Sequence, residues 1–313
     1  MSSFDRVISM DSLYRAWQKI SGNNACPGID CVDLSLYRSD LQKHLRLLQT
    51  AISSGNYSPR PEKTFIHKER TIGVSSVDDK IVQTALANAI KAARSPASGV
   101  HGFISNRSIF TAKKSLDKAL HKGVSEFSKI DIKRFYDSID KNILLNKLTL
   151  AFNDTQLLGL IRLLLDAHNP GISTGSCLSP ALSNFYLADF DYHMSNNSVF
   201  YARYVDDMLI APVTNNGMVC EKLAEVHLMI NDEKSSNVNA GVGFKYLGFD
   251  IKNDIDTAIH SGNFALAAQY MLLMKNARSG AKANTLSFHA WAKQSQRCPL
   301  TALRQLYCSI AST

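Results

Sequence analysis

Two aspartates, Asp206 and Asp207, stand side by side inside an otherwise apolar stretch. Arg203-Tyr204-Val205 precedes them and Met208-Leu209-Ile210 follows, so residues 200–211 read as strand, tight turn, strand. Such a hairpin buries its arms and leaves two carboxylates at its tip. In isolation, adjacent aspartates in a turn are ordinary solvated turn residues. Against buried arms, like charges raise one another's pKa unless a cation is bound. A third carboxylate, Asp131, closes the apolar strand 127–132. Three carboxylates from two neighbouring strands form a hard, oxygen-only donor set suited to magnesium. Two such ions side by side stabilise both the attacking and the leaving oxygen of a phosphoryl transfer.

The rest of the chain reads as one α+β unit with appended lobes and no internal repeat. Residues 1–50 are helical, and Ser54-Gly55-Asn56 with Ser58-Pro59-Arg60-Pro61 breaks them. A strand over 64–67, a turn over 68–70 and a return strand over 71–74 follow, then a helix over 77–93 stopped by Arg94-Ser95-Pro96. The leucine-rich stretch 143–165, the segments 179–194 and 218–230, and the C-terminal tail read as helix. Residues 242–251 read as a strand pair or hairpin.

Charge is unevenly placed. From Thr257 onward, Lys275, Arg278, Lys282, Lys293, Arg297 and Arg304 meet no Asp or Glu, so the tail holds six of the net eight positive charges. A basic tail on a nearly neutral body is either a solvated surface or a polyanion contact. A hydrophobic content of 45% with 8 prolines and 16 glycines excludes a disordered or collagen-like chain. No stretch approaches the ~20 apolar residues of a membrane span. The start MSSFDRVISM has no apolar h-region. The six cysteines, at 26, 31, 177, 220, 298 and 308, form no CxxC pair, as befits reduced thiols in a cytoplasmic protein.

Tyr204-Val205-Asp206-Asp207 resembles the YxDD box of reverse transcriptases, and other segments match that family's boxes in order. Lys129-Ile130-Asp131 through Ser138-Ile139 is similar to the first catalytic box. The run from Gly171-Ile172-Ser173-Thr174-Gly175 to Ser183-Asn184 is similar to the middle box. Phe244-Lys245-Tyr246-Leu247-Gly248-Phe249 resembles the primer-grip hairpin. Arg70-Thr71-Ile72-Gly73-Val74, Asp79-Lys80-Ile81-Val82-Gln83, Gly102-Phe103 and Asn106-Arg107-Ser108 resemble the fingers. The likeness covers about residues 10 to 251 and is closest in style to bacterial group II intron-like enzymes.

The resemblance implies a right-hand polymerase. Its parts are an N-terminal extension and fingers over 1–126, a ferredoxin-like palm over 127–255, and a short basic helical thumb over 256–313. It implies an RNA-directed DNA polymerase that adds dNTPs to a primer 3′-hydroxyl, with Asp131, Asp206 and Asp207 holding two Mg2+ ions and Mn2+ as an alternative. Lys68 and Arg70 would neutralise the incoming triphosphate. Tyr136 would crowd a ribonucleotide's 2′-hydroxyl, unless it is a core aromatic, a role that Phe135 suits better. Thr174 and Gly175 would pass close to the nascent base pair. Lys234 would protonate departing pyrophosphate, or is a plain surface lysine. Tyr246, Leu247 and Gly248 would grip the primer. Arg107, Lys275, Arg278 and Lys282 would contact nucleic acid.

This sequence departs from the family pattern at several places: Ser173 and Ser75 stand where proline is usual, Thr174 where glutamine is usual and Lys80 where arginine is usual, and the hairpin is shortened at Glu69. None of these removes a carboxylate. After the grip match only residues 252–313 remain, which leads one to expect a stand-alone enzyme of the kind used in anti-phage defence, with a non-coding RNA as template and a DNA or RNA primer. An effector or companion protein and an oligomer are left open; a membrane partner is not expected. Two other readings remain: template-independent or protein-primed synthesis by the same palm, and a non-catalytic RNA-binding or chaperone module.

Overall fold

The computed structural model describes residues 1–22, 26–67, 70–213 and 217–251. Helices α1 (Ser3–Ile8), α2 (Met10–Ser21), α3 (Leu34–Ser39) and α4 (Leu41–Ser53) open the chain. The side chains of Ser2, Ser9 and Asp33 each accept the backbone N–H three residues on, which fixes where α1, α2 and α3 begin. Strands β1 (Lys63–His67) and β2 (Arg70–Val74) pair as an antiparallel hairpin, and every β1 residue is exposed. Arg70 is thus the first residue of the return strand, paired with His67, rather than part of the turn. Helix α5 (Val77–Ala93), capped by Ser76, is buried around most of its circumference and serves as an interior post.

Next come α6 (Ile109–His121), β3 (Glu126–Asp131), α7 (Phe135–Ser138), α8 (Lys141–Phe152), α9 (Thr155–Asp166), α10 (Ser179–Tyr186) and α11 (Ala188–Asn197). Strands β4 (Phe200–Tyr204) and β5 (Asp207–Ala211), helix α12 (Gly217–Ala224), and strands β6 (Ser236–Asn239), β7 (Phe244–Tyr246) and β8 (Phe249–Ile251) complete the described chain. Four strands form an antiparallel sheet in the order β4-β5-β3-β6, and β7-β8 is a separate hairpin.

The two-residue period of a strand sorts the sheet's side chains. Ile130, Met208, Ile210 and Tyr201 join the larger apolar cluster with α5 and α8 to α11. Phe127, Leu209, Ala202 and Phe200 join a second cluster with Ala112, Leu116 and Leu120 of α6 and with Tyr246 and Ile251 of the hairpin. The sheet is therefore covered on both faces, an α+β palm.

Several elements differ from their sequence reading. The stretch 143–165 is two helices, because Asn153 takes a left-handed φ of 44° and Asp154 caps α9 by accepting the Leu157 N–H. The segment 179–194 is likewise divided at Leu187 and runs on to Asn197. The helix expected over 218–230 stops at Ala224, and Ile230 instead forms an isolated bridge with Ile132. Strand β6 has no counterpart in the sequence pattern. The tail, with Lys275, Arg278 and Lys282, lies outside the described residues, as does Lys68.

The outer edge of β4 is closed by a strap, residues 97–107. Arg203 N donates to Gly99 O at 2.8 Å, and His101 N donates to Arg203 O at 2.8 Å. A side chain at Gly99 would lie 2.5 Å from the Tyr201 ring, so only glycine lets the strap come this close. Arg107 holds the strap's shape: its Nη1 donates to Ala97 O at 2.7 Å and to Val100 O at 2.6 Å. That nitrogen is occupied by backbone carbonyls, which points to a structural role for Arg107 beside the nucleic-acid contact expected of it. Arg107→Ala is expected to lower stability in urea unfolding by about 1–3 kcal/mol, through carbonyls left without donors. It should leave the salt slope of RNA-oligomer binding unchanged, whereas loss of a phosphate contact would lower that slope by about 0.7.

Candidate active site

The register of β3 against β5 decides the site. Asp131 and Asp207 are direct partners across the two strands, so their side chains leave the sheet on the same face. Asp206 occupies the turn between β4 and β5, and its carbonyl accepts the Ile132 N–H at 3.3 Å. Three carboxylates from two strands and one turn thus gather at one end of the sheet.

Asp131 is nearly buried and held from several sides. Its N–H donates to Ser235 Oγ at 3.0 Å, its carbonyl accepts Asn231 N–H at 2.8 Å, and its Oδ1 accepts Asn231 Nδ2 at 3.1 Å. Lys234 Nζ stands 3.9 Å from the same Oδ1 with its side chain 59% exposed, so it is near the carboxylate yet free to swing. Burial, then Asp206 and Asp131, push the Asp207 carboxyl up to about 6, against the pull of Lys129 and Lys234.

This excess of negative charge is the imbalance that a divalent cation neutralises, and the all-oxygen donors suit a hard ion. Among the described residues no three His, Cys, Asp or Glu side chains are already drawn together around one point. The donor set fits such an ion by its chemistry and by the register that brings it to one face.

Tyr136 lies at the edge of this group. Phe135 is core, as expected, while Tyr136 is partly exposed. Burial raises the Tyr136 phenol's pKa; a hydrogen bond with Ser183 and the nearby Asp206 also act on it. The middle box meets the fingers hairpin: Gly73 N donates to Thr174 O at 2.8 Å. Gly175 has a φ of 114°, and a side chain there would lie 2.2 Å from Gly73 O. The backbone at Thr174 and Gly175 thus packs closely against β2.

In the β7–β8 hairpin, the Tyr246 ring is buried in the second cluster and its hydroxyl donates to Ala202 O at 3.4 Å, so its side chain anchors the hairpin to the sheet. Leu247, with a φ of 50°, and the exposed Gly248, with a φ of 84°, form the hairpin's tip. Sequence reasoning missed Lys129, Asn231 and Ser235. Lys129 could have been found, because it lies two residues before Asp131 on the same face of one strand.

A carboxyl whose folded pKa exceeds its ordinary 3.8 favours the folded state below that value, and the benefit is lost as pH rises through about 6. A divalent cation should therefore stabilise the protein at about pH 7.5, where Asp207 is ionised, and much less at about pH 5, where the proton competes. Saturating Mg2+ is expected to raise the thermal midpoint by about 2–4 °C at the higher pH. Asp207→Asn should abolish the pH dependence of the shift. Equal shifts at both pH values in the native sequence would contradict this assignment.

Residues 59–251 match the family model described as reverse transcriptase (RNA-dependent DNA polymerase). The group II intron-encoded protein LtrA of Lactococcus lactis subsp. cremoris is 28% identical over 203 residues, covering 59% of this chain. The chain spans only 34% of that relative's length. Protein YkfC of Escherichia coli K12 is 23% identical over 286 residues, with 71% of this chain and 74% of YkfC covered. Among solved structures, a partial Cas6-RT-Cas1–Cas2 complex aligns with a TM-score of 0.43 at 22% identity, covering 72% of this chain and 41% of that one. Telomerase from Candida albicans in complex with a telomeric RNA fragment aligns with a TM-score of 0.46 at 14% identity, covering 70% and 49%. With more than half of its length matched by the family model, this chain belongs to the reverse transcriptase (RNA-dependent DNA polymerase) family.

Proposed function

We propose that the chain is an RNA-directed DNA polymerase, adding dNTPs to a primer 3′-hydroxyl, with Asp131, Asp206 and Asp207 as its catalytic, metal-holding residues. The observation that carries this reading is the pairing of Asp131 with Asp207 across β3 and β5, beside the turn that bears Asp206. Two Mg2+ ions bound there would supply Lewis acidity to the 3′-hydroxyl and the triphosphate. Asn231 and Ser235 keep the Asp131 carboxylate and backbone in place. Lys234, near Asp131 and largely exposed, would deliver a proton to the departing pyrophosphate. Lys68 and Arg70 would balance triphosphate charge. Tyr136, next to Asp206 in its electrostatics, would lie against the sugar's 2′ position. Leu247 and Gly248 would meet the primer, and Lys275, Arg278 and Lys282 the duplex phosphates.

The organisation that goes with this reading is fingers over 1–126, palm over 127–255 and thumb over 256–313. We extend it to a bacterial anti-phage role in which the template is a non-coding RNA; the support is the likeness to bacterial group II intron-like enzymes. Sequencing the nucleic acid that co-purifies, with and without added dNTPs, tests the template. A product complementary to a bound RNA supports templated copying, and a product with no RNA counterpart points to untemplated synthesis.

Asp206→Ala is expected to lower dNTP incorporation by about 10³-fold or more while leaving the thermal midpoint no lower. Undiminished incorporation would overturn the assignment. Tyr136→Ala should raise ribonucleotide use relative to dNTP use by about tenfold or more in single-nucleotide kinetics. An unchanged ratio would return Tyr136 to the core aromatics.

A further inference from the structure

The chemistry above leaves Arg203 without a role. It is fully buried, on the sheet face opposite Asp131 and Asp207, and an arginine withdrawn from water is unfavourable unless its donors are met. Its Nε donates to Asp191 Oδ1 at 2.7 Å and its Nη2 to Asp191 Oδ2 at 2.6 Å, a two-pronged pair with α11. The Tyr201 hydroxyl donates to the same Oδ1 at 2.6 Å. Burial works against the guanidinium's charge, and Asp191 more than offsets it, so Arg203 stays protonated.

Two further bonds go elsewhere. Nη2 donates to Asn184 Oδ1 at 3.0 Å, and Nη1 donates to Val205 O at 2.8 Å. Val205 has a φ of 63°, and a β-branched residue in the left-handed region is strained and persists only where its surroundings over-determine it. The surroundings do so here. The Val205 carbonyl is held by Arg203 and the next carbonyl, of Asp206, by Ile132 N–H at 3.3 Å. Behind the turn, a side chain at Gly102 would lie 2.7 Å from Val205 N, and Gly102 O accepts Asn184 Nδ2 at 2.9 Å. Asn184 thus ties the strap to the same guanidinium.

We propose that Arg203 is a positioning residue: through Val205 O it clamps the left-handed turn that aims Asp206, with Asp191 as its counter-ion and Asn184 linking it to the strap. This rests on the reading of Asp206 as a metal-holding residue. Lysine can retain the charge opposite Asp191 but cannot form the fork and reach Val205 at once. Glycine at 205 adopts the turn without strain and should need no clamp.

The test combines Arg203→Lys and Val205→Gly in a double-mutant cycle on nucleotide incorporation, with hydrogen exchange on the same proteins. Arg203→Lys is expected to lower kcat about 30-fold with the native Val205 and about threefold or less in the V205G background, with KM for dNTP little changed. Amides of residues 205–208 should exchange about tenfold faster in R203K, while those of α11 keep their protection. Equal penalties in both backgrounds, or α11 loosening as much as the turn, would make Arg203 a structural ion pair and overturn the proposal. Native protein that incorporates no nucleotide would contradict the polymerase reading instead, and the exchange data would still decide the clamp.

Discussion

Everything at this site depends on strand register. Antiparallel pairing of β3 with β5 sets Asp131 opposite Asp207, and a shift of one residue would turn one carboxylate to the other face of the sheet. The register is fixed by what lies further along the same strands. Ile130, Met208 and Ile210 must enter the larger cluster, while Phe127 and Leu209 must enter the smaller. Because both faces are covered, a slip of β3 would carry Lys129 and Asp131 toward the larger cluster in place of Ile130 and bury their charges there. Apolar burial thus holds the two carboxylates apposed, and burial first, then Asp206 and Asp131, raises the Asp207 pKa.

Where the signals are local, the chain is legible. Helix α5 occupies 77–93 because Ser76 caps it and Arg94-Ser95-Pro96 ends it, and the 200–211 hairpin is announced by its apolar arms. Where an element exists only through a distant partner, the sequence is silent. Ser236–Asn239 is polar and has no strand pattern, yet it pairs with β3. Ile230 looks helical and bridges Ile132 instead. Asp154 divides two helices and also accepts the Phe4 N–H at 2.8 Å. At the site, the aspartates could be found from their boxes. Asn231 and Ser235 could not, because their bonds to Asp131 span about a hundred residues of chain.

Two departures from the family pattern have one structural answer. Ser75 and Ser173, each in place of a usual proline, both donate to Glu62, at 3.2 Å to Oε1 and 2.6 Å to Oε2. The Ser75 hydroxyl also accepts Gln83 Nε2 at 3.0 Å, and Gln83 Oε1 accepts the Cys177 N–H at 3.1 Å. Hydrogen bonds through one carboxylate therefore join the fingers hairpin to the middle box, where ring rigidity would otherwise set the backbone. The contact of Gly73 with Thr174 and Gly175 runs alongside this joint, so the β1–β2 hairpin is braced near Gly73 while every β1 residue is exposed.

What most needs measuring is whether Asp131, Asp206 and Asp207 together hold the divalent cations proposed for them. Anomalous scattering from crystals of the protein soaked in Mn2+ tests it most directly. The account predicts a manganese peak in contact with Asp131 and at least one of Asp206 and Asp207, at the end of β3 and β5. Manganese bound only elsewhere, with these carboxylates bare, would contradict it.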